Sequence, residues 1–209
     1  MRYDEFKAKV RGFPVLSTQL LQLLSGEDAG FSVQLGRWVN AGKVIQLKKG
    51  IYLLNELDRK IMPSRLYLAG ELYKPSYISL EYALAYYGLI PEKVADVTCV
   101  CAKKTAMFQT PLGRFIYQHV KDGCFNGFRQ VKDESGLNFF IASPEKALVD
   151  FFYLNLGLFK KDYVLVGRES LRLQNMKTLD WEKLLSLAGL FRVKKLMEVV
   201  RAFREENND

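Results

Sequence analysis

The order of hydrophobic periods in the first 54 residues constrains this chain more than any other feature of its sequence. Three stretches with helical spacing are followed by two β-prone runs around a lysine-rich turn. Phe6 and Val10 stand four apart in the segment Asp4 to Val10, which Gly12 and Pro14 close. Ser17 is placed to cap a second helix with Leu20, Leu21 and Leu24 on one face, and Ser25-Gly26 stops it. Glu27 to Gly30 reads as a turn, Ser32 as the cap of a third helix, and Gly42 as its left-handed C-terminal residue. Val44-Ile45-Gln46-Leu47 and Ile51-Tyr52-Leu53-Leu54 then pair as a hairpin across the loop Lys48-Lys49-Gly50. Helix, helix, helix, hairpin over so short a span is the order of a winged helix-turn-helix.

At 100° per residue the third helix divides cleanly. Leu35, Trp38 and Val39 make the buried stripe, and Val33, Gln34, Arg37, Asn40 and Ala41 face outward. Gln, Arg and Asn carry the paired donors and acceptors that match base edges in the major groove, so Gln34, Arg37 and Asn40 are the candidate readers. Ser32 at the helix start and Lys43 just past its end are candidates to hold phosphates. Lys48 and Lys49 sit at the expected tip of the hairpin, where they reach a backbone or a minor groove. The bland alternative is a solvated amphipathic helix followed by a solvated lysine pair. Charge favours the interface: residues 1–50 hold eight Lys and Arg against four Asp and Glu, half of the net +8 charge in about the first quarter of the chain.

The polar run Asn55 to Pro63 is the expected linker, dividing a DNA-binding region at 1–55 from a larger domain at 64–209. Beyond it helical patterns cover Arg65–Tyr73 and Leu80–Tyr87, and strand patterns cover 97–102, 114–120, 128–132 and 139–142. Pro144 opens a helix with Ala147, Leu148, Phe151, Phe152 and Asn155 on one face, and Asp180 caps another. Val193, Leu196, Met197, Val200 and Phe203 align in the last. The expected class is α+β: a winged helix-turn-helix, then a larger mixed α/β domain with C-terminal helices.

A second basic cluster, Lys103, Lys104, Thr105, Arg114 and Lys121, surrounds two consecutive strands, either as a solvated rim or as a further surface for an acidic partner. Enzymatic constellations are poorly supplied. His119 is the single histidine, which leaves no His-rich metal site and no Ser-His-Asp set. Cys99, Cys101 and Cys124 form no C-x-x-C. Asp133, Glu134, Glu145, Lys146 and Asp150 are the one group that offers a Mg²⁺ nuclease its carboxylates and lysine, but neighbours Glu145 and Lys146 diverge by 100° on a helix. No catalytic residue, metal or cofactor is therefore expected. With no apolar leader and no run near the ~18 residues of a membrane span, the expected setting is cytoplasmic, with reduced thiols and no membrane partner.

Several stretches together resemble AbiEi-type antitoxins, predicted bacterial transcriptional regulators of phage-defence systems. They are Gly42 to Tyr52, Tyr77 to Leu84 with Tyr87 to Pro91, Thr110 to Tyr117, and Ser143 to Asp150. The resemblance runs from about residue 5 to 155, and the C-terminal helices match only loosely. It implies a type IV toxin-antitoxin system, in which the winged helix represses its own operon by binding duplex operator DNA. It also implies a second domain that opposes a nucleotidyltransferase-like toxin without a tight complex. The positions it suggests for DNA contact, Gln34, Arg37, Lys43, Lys48 and Lys49, coincide with those read from the residues. Two other functions stay open at this point: a DNA-targeted nuclease, and a protein-interaction adaptor that binds no DNA and would expose apolar anchors on the third helix.

Overall fold

The computed structural model describes residues 1–26, 30–160 and 162–207. The expected turn at Glu27 to Gly30 therefore lies, apart from Gly30, outside the described residues. The chain is mixed α and β, with two sheets.

The first region runs α1 (Tyr3–Val10), β1 (Leu16–Ser17), α2 (Thr18–Ser25), α3 (Phe31–Asn40), β2 (Val44–Lys48) and β3 (Ile51–Leu54). Its three strands are antiparallel in the order β1-β3-β2. Ser17 caps α2 as its position suggests, its hydroxyl accepting from Leu20 N at 3.2 Å. Gly42 takes φ +68°, and beside it the Lys43 N–H closes on the Trp38 carbonyl at 2.9 Å, ending α3. One boundary differs. Gly30, not Ser32, is the N-cap of α3, because the helix begins early enough to bury Phe31 against Phe6 and Trp38. These rings, with Val10, Leu16, Leu21, Leu35, Val44 and Leu54, form a compact first core.

The hairpin turn is tighter than its sequence suggests. Lys48 is the last residue of β2, leaving Lys49-Gly50 as the turn, with a register irregularity between Gln46 and Lys48. Gly50 stands at φ +85° with its carbonyl accepting from Thr18 N at 2.9 Å, and a Cβ there would lie 2.7 Å from the Thr18 hydroxyl. Because successive strand residues face opposite ways, the hairpin serves two cores. Val44 and Leu54 join the first, while Leu47 and Leu53 are buried in the second.

That second core belongs to a six-stranded mixed sheet. Its elements are α4 (Arg65–Leu72), β4 (Ser76–Ile78), α5 (Leu80–Tyr86), β5 (Val97–Cys101), β6 (Ala106–Thr110), β7 (Gly113–His119), β8 (Phe128–Lys132), β9 (Asn138–Ala142) and α6 (Pro144–Leu154). A single turn, α7 (Tyr163–Leu165), runs into a π-helical turn, and α8 (Trp181–Leu190) and α9 (Lys194–Asn207) complete the chain. The sheet order is β6-β7-β5-β4-β9-β8, with β4 parallel to β9 and β5 parallel to β7. Two strands of this sheet show no strand periodicity in the sequence, and neither does the two-residue β1. β4 is three residues long, too short to show alternation, yet it joins the two halves of the sheet. β6 is an edge strand against β7.

Helix α6 corrects another expectation. Instead of one apolar face it is buried from Glu145 through Phe152, enclosed by β9, α5, α8 and α9. Ser143 caps it, its hydroxyl accepting from Lys146 N at 3.3 Å, and Pro144 occupies the first turn as expected. Asp180 likewise caps α8, accepting from Lys183 N at 3.0 Å.

The polar run 55–63 is a bonded strap rather than a loose tether. Asp58 accepts from the Tyr3 hydroxyl at 2.7 Å and lies 3.1 Å from Lys7 Nζ, and Lys60 N donates to the Arg11 carbonyl. At the far end the Ser135 hydroxyl donates to the Met62 carbonyl, and Ser64 N donates to Asp133. The hydrogen bond from Tyr3 holds the Asp58 carboxyl below its usual range. Burial pushes the Asp133 carboxyl up, but donors from Ser64, Leu137 and Ser135 outweigh it and leave it low as well.

Candidate nucleic-acid interface

Helix α3 keeps its aromatic face inside and its polar face in water. Trp38 stacks on Phe6 with ring centroids 4.7 Å apart and meets Tyr3 and Phe31 edge-on. Phe31, Leu35 and Trp38 are buried, so the inner stripe is wider by Phe31 than the helical wheel suggests. On the other side Ser32, Val33, Arg37 and Asn40 are exposed. The Arg37 guanidinium has no hydrogen-bond or ion-pair partner among the described residues. Gln34 is half-buried, and its side-chain oxygen accepts from the N-terminal ammonium at 3.5 Å, so one of its groups is engaged. Lys43 follows the helix on the turn into β2, with its ammonium 4.6 Å above the Tyr3 ring. Lys49 is exposed on the hairpin turn.

Lys48 does not share that surface. It leans toward the larger sheet, with its ammonium 4.8 Å from the Phe108 ring centroid and 6.0 Å from that of Tyr73. Burial and the neighbouring Lys103 hold its titration below the ordinary lysine range. The pairing of Lys48 with Lys49 in sequence is thus split in space: Lys48 is the last residue of β2, beyond its register irregularity, whereas Lys49 lies in the exposed turn.

The second basic cluster splits as well. Lys103 and Lys104 lie in the loop after β5, and Lys103 comes within 5.7 Å of the Tyr73 ring centroid that Lys48 also approaches. His119 ends β7 beside them, its Nδ1 3.0 Å from the Lys103 carbonyl, and the Tyr73 hydroxyl donates to the Lys104 carbonyl at 3.0 Å. Tyr73, Ala102, Lys103, Lys104 and His119 line an open cleft of about 530 Å³. Arg114 belongs elsewhere. It opens the same strand that His119 closes, roughly 16 Å away along a β-strand, and its Nε donates to Asp96 at 2.7 Å. Lys121 is exposed just beyond β7. The sequence therefore grouped Lys103 with Lys104, but it assigned Lys48 to the hairpin tip and missed Tyr73, around which Lys48 and Lys103 gather. No periodic signal marks a tyrosine one residue beyond a helix end as a meeting point.

The acidic and basic residues of α6 build something different. Lys146 and Asp150 are fully buried and paired at 2.5 Å, and Asp150 also accepts from Tyr77 and Ser79 hydroxyls at 2.9 Å each. Burial pushes the Asp150 carboxyl up against these donors. Glu145 turns the other way, 2.7 Å from Lys183 and accepting from Ser143. The divergence expected of neighbours on a helix is what separates them. Asp150, whose three donors Lys146, Tyr77 and Ser79 are all buried, ties α6 to β4 and to the cap of α5. Among the described residues no group of three His, Cys, Asp or Glu is placed to hold a metal ion, and no helix is long and apolar enough to cross a membrane. No known protein-family model matches the chain, and no curated protein matches it.

Proposed function

We propose that residues 1–55 form a winged helix-turn-helix that binds duplex DNA, with α3 as the groove-reading helix and the β2–β3 hairpin as its wing. The observation that carries this reading is the outer face of α3, where Arg37 is exposed beside Asn40 and Ser32 and, among the described residues, has no hydrogen-bond or ion-pair partner. Two features support it: the element order of three helices before a hairpin, and the antiparallel strand order β1-β3-β2. Arg37 and Asn40 then read base edges, with Gln34 at the margin, while Ser32, Lys43 and Lys49 meet phosphates. An adaptor surface would instead present apolar anchors, and on this face Val33 is the one large apolar side chain exposed.

The regulatory role follows from the resemblance to AbiEi-type antitoxins. In this reading the chain represses its own operon, and the larger domain opposes a nucleotidyltransferase-like toxin. Fluorescence-anisotropy titration of the full chain on its own upstream DNA, at two salt concentrations, tests the DNA-binding part. Affinity that falls steeply with salt is expected, because several lysines displace counterions. Absent or salt-independent binding overturns it.

A further inference from the structure

The cleft around Tyr73 gathers cations from two regions and supplies no acid to balance them. Lys48 arrives from β2 and Lys103 from the loop after β5, at 6.0 and 5.7 Å from the centroid of one ring. Lys104 and His119 line the same cleft. Among the described residues no ion pair involves Lys48, Lys103 or Lys104, and Glu71, on the helix that leads into Tyr73, is taken by Lys74 at 2.7 Å. The electron-rich ring offsets part of the repulsion, but a half-buried Lys48 ammonium beside the exposed Lys103 costs free energy unless a counter-charge joins them. Burial and Lys103 both lower the titration of Lys48.

We propose that the Tyr73 cleft, lined by Lys103 and Lys104 of the larger sheet and with Lys48 of the hairpin approaching the same ring, is a phosphate site. A phosphoryl group suits it better than a carboxylate, since its charge of up to −2 and three acceptor oxygens can engage all three ammonium groups at once. Occupancy ties the hairpin to the sheet, because the donors come from both. Lys48 is thereby explained as part of a seam rather than of the outer wing surface. Two sources carry this chemistry: the backbone of a duplex already held by α3, or a free phosphorylated small molecule. The first source rests on the DNA-binding reading above; the second does not.

Calorimetric titration of the full chain with inorganic pyrophosphate, beside duplex-DNA titrations across a salt series, separates them. The variants are Lys103→Gln and Lys104→Gln, both exposed positions where folding is not at stake, with Lys177→Gln as a control for overall charge. A free ligand is the source if pyrophosphate binds and each cleft variant weakens it about tenfold, the loss of one charge-assisted hydrogen bond, while Lys177→Gln does not. The duplex backbone is the source if pyrophosphate binds poorly but Lys103→Gln lowers the salt slope of DNA binding by about one charge. The site is overturned if neither titration responds to Lys103→Gln and Lys104→Gln, or if Lys177→Gln acts equally. Should the wild-type chain bind no duplex at all, the DNA reading fails and the pyrophosphate arm alone decides the cleft.

Discussion

Helices α3 and α6 are nearly the same length and each carries a single cationic side chain, yet the two treat charge in opposite ways. α3 lies on one sheet with a single face covered, so Arg37 stays in water with its donors free. α6 is enclosed on all sides, so Lys146 is driven into a buried pair with Asp150, held by Tyr77 and Ser79. A free cation on an exposed face is available to a ligand. A cation satisfied inside the protein is committed to folding. What decides between them is the number of elements packed around the helix, not the residue type.

That contrast is sharpest in its effect on stability. Asp150→Ala strands a buried ammonium and two hydroxyls, and is expected to cost about 3–5 kcal/mol, as breaking a buried pair does. Chemical denaturation measures it, and a loss below about 1 kcal/mol would mean that α6 is less enclosed than described. Arg37→Ala should leave stability unchanged and instead remove about 1–3 kcal/mol of preference for operator over random DNA. If it weakens both equally, α3 is not the reading helix.

The strap at 55–63 gives a smaller effect. Asp58→Asn weakens the links to Tyr3 and Lys7 and should destabilise the chain by about 1 kcal/mol. Asp58 and Asp133 both titrate below the usual carboxylate range. Their ionised forms therefore add stability above about pH 4, and that contribution is lost as pH falls through their folded values. Thermal unfolding between pH 7 and pH 3 should show the wild type losing more than Asp58→Asn. Equal losses would place the acid sensitivity elsewhere. Smallest of all, Lys49→Gln should weaken operator and random DNA alike and lower the salt slope by about one charge, since a phosphate contact is blind to sequence.

A fragment ending near residue 60 would test how far the first region stands alone. It keeps the aromatic core of Phe6, Phe31 and Trp38 but exposes Leu47 and Leu53, which the larger sheet buries. Burial of each leucine contributes on the order of 1.5–3 kcal/mol, so the fragment is expected to unfold at lower temperature than the full chain or to associate with itself.

The sequence by itself determined what depends on near neighbours. The caps at Ser17 and Asp180, the proline in the first turn of α6, the glycine that ends α3, the hairpin, and the inner and outer faces of α3 all follow from spacings of a few residues. Tertiary structure alone decided the rest. β4 is three residues long and has meaning only between β5 and β9. Lys48 parts from Lys49 because the hairpin has a second core on its far side, and Lys146 is buried because four elements close around α6. The strap is bonded at both ends through partners as far off as Ser135. Periodicity records which side of an element is apolar, but it carries no information about how many other elements arrive to cover the polar side.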